Sequence, residues 1–410
     1  MQSAGDRLRA GRCDAHGEKS CLFRAPWGGR RMNSLAGLFS PGELDRLRKT
    51  RFPFSGGRFS SWDDVRDRQI IVFGAGHYGR GTMDMLLKEG VTPRFCVDAN
   101  PAVVGSSYRN IPARPVAALE EAKNALVILT SAYAGEMHAL CRRFAVETAL
   151  PTELPAASSP VAPIGLRMEE YERNAALEEM IAVLDDRSKS VLKNFLAFQF
   201  TLDLEYIRSV YTPHPYFDKD FLRRVRYEVF CDLGASFGDT WEAYCAHTDC
   251  GKQNAYTYYA VEPDLGSFLE LQKKTSGNPN VIPLFFAVSA EDGMAHISEE
   301  GQGSNLCFVD EKKSNTVPLR SLDSLFHRMG PKPTVIKADV EGVEADVLRG
   351  GQNLLRTARP DLIFSLYHRK NDFYEIPLSI LRAGRYEIAI RQHTRSYGEL
   401  VVYALAGREE

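Results

Sequence analysis

The chain has 410 residues, a formal net charge of −2, 44% hydrophobic and 25% charged residues, the profile of a globular protein of about two domains. That charge balance gives no electrostatic reason to expect nucleic acid or an anionic membrane as partner. No apolar run reaches the length of a membrane span, the N-terminus lacks the apolar core of a signal peptide, and the eight scattered cysteines suit free thiols in a reducing cytoplasm.

Residues 1–61 read as a disordered or loosely structured leader, rich at its start in Arg, Gly and Ser. The patterning improves from Met32, which leaves the start of translation at Met1 or Met32 open. From Gln69 a largely apolar strand stops at Gly74, Gly76 and Gly79 and restarts as a helix through Met85 to Lys88. A second strand, Pro93 to Val97, ends in Asp98, about twenty residues past Gly79, where a Rossmann unit places its ribose-holding acid. A third strand, Ala125 to Thr130, completes a Rossmann-like domain over residues 62–157. Gly74, Gly76, Gly79 and Asp98 are therefore candidate nucleotide-binding residues, with a module that kept the fold but binds nothing as the alternative. The stretch Val97 to Gly105 resembles the nucleotide-sugar-type Rossmann modules found beside sugar-modifying enzymes, which implies a nucleotide or nucleotide-sugar ligand.

A Pro/Ala/Ser-rich linker over 150–164 marks the domain boundary, and residues 158–225 read as linker and helical cap. Leu177, Met180, Ile181 and Leu184 form one apolar stripe in that cap; Val191, Leu192, Phe195 and Leu196 continue it. The aromatic, Pro-punctuated loop Tyr211 to Phe217 would lie near the carboxyl edge of the next sheet and could cover a ligand. There the run from Val225 to Leu233, broken by charges, reads as a buried parallel strand leading through Asp232 to Gly234 and Gly238, with a helix from Thr240. The spacing D-x-G-x-x-x-G lacks the phosphate-cradling glycines, which favours a nucleoside with an amino-acid tail over a dinucleotide. The next strand, Ala255 to Val261, ends in Glu262, an acid placed to accept both hydroxyls of a ribose. Val281 to Ser289 reads as a third strand whose end would border the base. A fourth strand carries Lys337 and Asp339, a fifth runs from Asp361 to Tyr367 and His368, and a closing hairpin follows. Cys245 and Cys250 flank His247 on one short helix with no second ligand pair, so no metal is expected.

These residues resemble the FkbM-type S-adenosylmethionine-dependent methyltransferases. The carriers are Asp232 to Thr240, Ala260 to Pro263, Ala287 to Ser289, Ser304-Asn305, Leu322-Asp323, and above all Ile336 to Glu344 with Leu348 to Gly350. Ser236-Phe237 and Ser365 depart from the family pattern. The resemblance implies a class I methyltransferase sheet of seven strands, the last antiparallel, over residues 226–410. It also implies S-adenosyl-L-methionine as cofactor and O-methylation of a sugar, glycan or natural-product hydroxyl. Asp232, Gly234, Gly238, Glu262 and Ser289 are then the cofactor-binding candidates.

Methyl transfer needs an aligned hydroxyl, a dry site and a proton acceptor. His368 is the first candidate base because its ordinary pKa lies near neutrality. Asp339 would hold the acceptor or fix Lys337, the third catalytic candidate. Glu341 and Glu344 fit a helix N-terminus, complementing its dipole, better than catalysis. Two other readings stay open. One is a nucleotide or nucleotide-sugar binding protein with an inactive methyltransferase-like domain; the other is a NAD-dependent oxidoreductase using the N-terminal domain. The expected partner is a small-molecule or glycan acceptor, with oligomeric state unread.

Overall fold

The computed structural model describes residues 33–52, 59–144, 146–155, 164–297 and 315–407. Ser304 and Asn305, the first part of the leader and most of the Pro/Ala/Ser linker lie outside them.

Six strands form the N-terminal sheet: β1 (Ile70–Phe73), β2 (Phe95–Asp98), β3 (Ser107–Tyr108), β4 (Ile111–Pro115), β5 (Leu126–Leu129) and β6 (Glu147–Ala149). Their order is β3-β4-β2-β1-β5-β6, parallel throughout except for the β3/β4 hairpin. The uninterrupted burial of β1 and β5 fits a parallel strand covered on both faces.

The second sheet is built from β7 (Val229–Leu233), β8 (Thr257–Val261) and β9 (Val281–Leu284), with β13 (Val335–Ala338), β14 (Asp361–Ser365), β15 (Tyr386–Gln392) and β16 (Leu400–Ala406). Between these come β10 (Ala287–Val288), β11 (Gly293–Ile297) and β12 (Asn315–Arg320), a separate three-stranded sheet. The seven-stranded order is β15-β16-β14-β13-β7-β8-β9. Its core strands run parallel, and the last strand, β16, is antiparallel to both neighbours. This is the expected α/β class, a doubly wound seven-stranded sheet preceded by a smaller, mostly parallel six-stranded one.

The expected strand Val281 to Ser289 is divided. β9 is the edge strand, where Pro283 can sit without a ladder N–H, and the chain then leaves for β10 and the small sheet. The expected leader is also corrected in part. Ser40 caps the helix Pro41–Thr50 through a capping box with Glu43, and Phe39, Leu44 and Leu47 are buried.

The helices of the expected cap do more than cover the second sheet. The helix Asp186–Thr201 begins at an Asp185 N-cap and buries Val191, Leu192, Phe195, Leu196 and Phe198. One hydrophobic core runs from Ile71 and Val127 of the N-terminal sheet through these residues to Ile336 and Phe364 of the second. The Phe200 carbonyl accepts the Phe52 N–H at 2.9 Å. A Cβ on Gly135 would lie 2.7 Å from the Leu202 carbonyl oxygen, so only glycine allows that approach. Asn33–Glu410 accordingly forms one compact unit. Among the described residues no helix is long and apolar enough to cross a membrane.

Candidate functional site

Two corners at the carboxyl edge of the seven-stranded sheet organise the site. At the first, β7 ends in Gly234 with φ +78°, and a Cβ there would lie 1.9 Å from the Asp339 carbonyl oxygen. Gly238, with φ +84°, is the N-cap of the helix Asp239–His247. Between them Ser236 takes φ +45° and donates its N–H to Glu262 Oε2 at 2.7 Å, while Asp264 N–H donates to Oε1 at 2.7 Å. Glu262 is buried. Burial raises its carboxyl to about 6 against those two N–H groups. An ionised carboxylate has about four lone-pair sites, so capacity remains for two hydroxyls. Gly234, Gly238 and Glu262 thus sit together at one corner.

The structure pairs two of the expected site residues, Asp232 and Lys337, with each other. The parallel register sets Lys337 directly opposite Asp232, and the two form an ion pair at 3.0 Å with side chains 2% and 0% exposed. Tyr258 also donates its hydroxyl to Asp232 at 2.7 Å. The Lys337 ammonium donates to the Gly234 carbonyl at 2.7 Å. It keeps a raised pKa although burial opposes its charge, because Asp232 faces it. The pair anchors the first corner from beneath. Ser289 is displaced: it follows β10 and donates its N–H to Arg320 in the small sheet. Cys245, near His247, faces the Tyr256 hydroxyl at 3.8 Å.

The second corner follows β13 and β14. Asp339 accepts the Tyr216 hydroxyl at 2.7 Å and the Tyr367 hydroxyl at 3.2 Å. Tyr216 is delivered by the aromatic loop expected to lie over this edge. Burial pushes the Asp339 carboxyl up, but His368, Lys337 and the Tyr216 hydroxyl outweigh it and hold the group below its ordinary value. His368 Nδ1 lies 2.7 Å from Glu344 Oε1; Nε2 lies 3.3 Å from Asp339 Oδ1 and 3.6 Å from Glu341 Oε2. Burial alone would lower the His368 pKa, yet Glu344, Asp339 and Glu341 raise it to about 10. The expected base is therefore an imidazolium at neutral pH, with no lone pair for an acceptor proton. Glu344 does begin a helix, Glu344–Gly350, but its carboxylate serves His368.

Glu399 is the group that reading the strands missed. It lies on the turn between β15 and β16 with φ +50°. Gln392 shapes that turn by donating its amide to the Gly398 carbonyl at 2.7 Å and to that of Thr394 at 3.2 Å. Burial, reinforced by the Asp339 charge, raises Glu399 to about 7, and its Oε2 has no partner among the described residues. The only sequence signal was the glutamate opening the last strand, which alternation alone assigned to the hairpin.

At the N-terminal corner, β1 ends in Gly74 with φ +109°. A Cβ on Gly79 would lie 1.8 Å from the Gly74 carbonyl oxygen, whereas Gly76 has open space. Asp98 accepts the Ala75 and Asn100 N–H groups, both at 2.8 Å, so it braces the glycine turn. The next helix carries Tyr78 toward the second site. Its hydroxyl pKa is raised by burial and then by the charges of Glu341, Asp339 and Glu399.

Residues 232–388 match the family described as the methyltransferase FkbM domain. Hexuronic acid methyltransferase AglP of Haloferax volcanii is 32% identical over 133 residues, which is 32% of this chain and 52% of that protein. The chain thus spans about half the length of this curated relative. The crystal structure of methyltransferase FkbM from Methylobacillus flagellatus KT is 20% identical with a TM-score of 0.61, covering 90% of this chain and 98% of that one. At that identity the likeness concerns the fold.

Proposed function

We propose that the protein transfers a methyl group from S-adenosyl-L-methionine to a sugar hydroxyl, a reading supported by the match of residues 232–388 to the methyltransferase FkbM domain. The observation that carries this reading is the adjacency of the two corners on one sheet edge. Gly234 touches the Asp339 backbone, so a donor held by Glu262 and the Gly234–Gly238 turn would present its methyl beside Asp339. S-adenosyl-L-methionine, when bound, supplies an activated methyl on a sulfonium. Glu262 accepts the ribose hydroxyls and the turn shapes the pocket for the amino-acid tail. Asp339, oriented by Tyr216 and Tyr367, accepts the hydrogen bond of the acceptor hydroxyl and aligns its oxygen. Glu399, a carboxyl beside Asp339 with an unsatisfied oxygen, takes the proton. The His368 imidazolium holds the acids in place. A sugar acceptor is supported by the likeness to a hexuronic acid methyltransferase. The N-terminal corner enters this reading through Tyr78 rather than through a nucleotide.

The test incubates the full chain with S-adenosyl-L-methionine and a panel of hexuronic acids and neutral sugars, free and glycosidically linked. S-Adenosylhomocysteine release and a one-methyl mass increase of the acceptor are the readouts. The Glu399→Gln variant should lose turnover by about 10²–10⁴-fold with unchanged S-adenosylhomocysteine affinity. Full turnover in that variant removes Glu399 from the mechanism; absence of S-adenosylhomocysteine binding by the parent chain overturns the whole reading.

A further inference from the structure

The ring of His368 is fixed by its Nδ1 contact with Glu344 Oε1 at 2.7 Å, and its side chain is only 8% exposed. Nε2 then points between two carboxylate oxygens, Asp339 Oδ1 at 3.3 Å and Glu341 Oε2 at 3.6 Å. Both distances exceed a charge-assisted N–H···O bond of about 2.7–2.9 Å, and a single proton cannot serve both oxygens well. Three ligand atoms each about 2.0–2.2 Å from one cation in tetrahedral positions lie roughly 3.3–3.6 Å from each other. The observed separations from Nε2 fit that spacing. We propose that one divalent transition-metal cation displaces the Nε2 proton of the His368 imidazolium to solvent and is bound by that nitrogen together with Asp339 Oδ1 and Glu341 Oε2.

The surroundings are those of a ligand set. Metal-bound histidines commonly give their other ring N–H to a carboxylate, which orients the ring and raises its basicity. Glu344 does this from a position 1% exposed, held by the Val340 N–H at 3.0 Å, and its second oxygen has no partner among the described residues. Asp339, Glu344 and His368 each offer a ligand atom within 4.8 Å of the others. Glu341 and Gly342 take successive positive φ values of 55° and 95°, and this turn brings the Glu341 carboxylate back toward the ring. The nearest buried cation, Lys337, is committed to Asp232. The Glu341 and Asp339 side chains are 45% and 22% exposed, so the remaining coordination positions face the side from which an acceptor must enter. One imidazole with two carboxylates suits Mn²⁺, Fe²⁺ or Zn²⁺ better than an all-oxygen cation such as Ca²⁺.

A cation here would polarise the acceptor hydroxyl and lower its pKa. It would also offset the charge that a hexuronic acid brings into a cluster of acids. This consequence rests on the methyl-transfer reading; the binding itself does not.

The experiment uses the full chain freed of metal by a chelator and titrates it with Mn²⁺, followed by loss of the free-ion electron paramagnetic resonance signal, and with Zn²⁺ by calorimetry. One equivalent is expected to bind. Glu341→Gln, at a side chain 45% exposed, should weaken binding at least tenfold, and His368→Ala should abolish it. A Glu270→Gln control on a distant exposed helix face should change nothing. Melting temperature and S-adenosylhomocysteine affinity, measured on each metal-free variant, separate misfolding and failure of the methyltransferase reading from loss of the cation site. No binding of either metal at millimolar concentration, or binding that survives Glu341→Gln and His368→Ala, overturns the proposal.

Discussion

Lys337 and Asp232 show what a residue's neighbours do to its apparent role. Removing one member of a buried ion pair strands the other charge in a low-dielectric interior and costs about 3–5 kcal/mol. Lys337→Met should therefore lower unfolding free energy by that amount in chemical denaturation; a loss under about 1 kcal/mol would mean the pair contributes little to the fold. Glu262 gives a pH signature. Its folded pKa of about 6 lies above the ordinary 4.5, so its contribution to stability is present below pH 4.5 and lost as pH rises through about 6. The shift amounts to about 2 kcal/mol. Ribose binding needs the ionised form and runs the other way, so S-adenosylhomocysteine affinity should fall as pH drops below about 6. Calorimetric titrations from pH 5 to pH 8 measure this, and Glu262→Gln should weaken binding and flatten the profile; a wild-type affinity independent of pH would take the ribose role from Glu262. The motif Lys337-x-Asp339-x-Glu341 was legible as chemistry, but the partners were not. His368 becomes an imidazolium because Glu344, 24 residues away, turns back to its ring, and strand alternation carries no record of such a contact.

At the scale of elements, both glycine corners depend on absent side chains. A Cβ at Gly79 or Gly234 would collide with a backbone carbonyl oxygen at 1.8 or 1.9 Å, and the backbone at Gly234 is left-handed besides. The left-handed conformation alone costs an alanine about 1–2 kcal/mol, and the collision must push β13 away from β7. Gly234→Ala should lower the melting temperature and the S-adenosylhomocysteine affinity together, measured by scanning fluorimetry and calorimetry. Retention of both would show that the corner yields without consequence. β1, β2 and β5 of the first sheet and β7, β8, β13 and β14 of the second were legible because parallel strands covered on both faces are continuous apolar runs ended by glycine or an acid; β3, β4 and β6, short and without such runs, were not read. Val281 to Ser289 was misread for the same reason: an apolar run keeps its composition when the chain leaves one sheet for another. The turn that carries Glu399 was invisible because the Gln392 amide, not local turn chemistry, sets its shape.

For the whole molecule, a Pro-rich linker suggested two modules that could be taken apart, and the packing argues otherwise. Helix Asp186–Thr201 belongs to the core of both sheets, its C-terminal turn receives Phe52, and Tyr78 brings the N-terminal glycine turn into the field of Asp339, Glu341 and Glu399. A ligand that binds only the native state stabilises whatever unfolds with its site, by about 2.7 kcal/mol at a hundred times its Kd. If the two sheets unfold together, scanning calorimetry of the full chain should show one endotherm, and S-adenosylhomocysteine should shift all of it upward. Independent modules would give two endotherms, of which the ligand moves one. Tyr78→Ala sharpens the comparison, because it removes the aromatic ring between the N-terminal turn and the acidic corner without touching the donor pocket. It should lower the shared melting temperature and weaken the acceptor, seen as a raised KM, while leaving S-adenosylhomocysteine affinity in place. Two endotherms in the parent chain, or an acceptor KM indifferent to Tyr78, would return the N-terminal sheet to the status of a separate module.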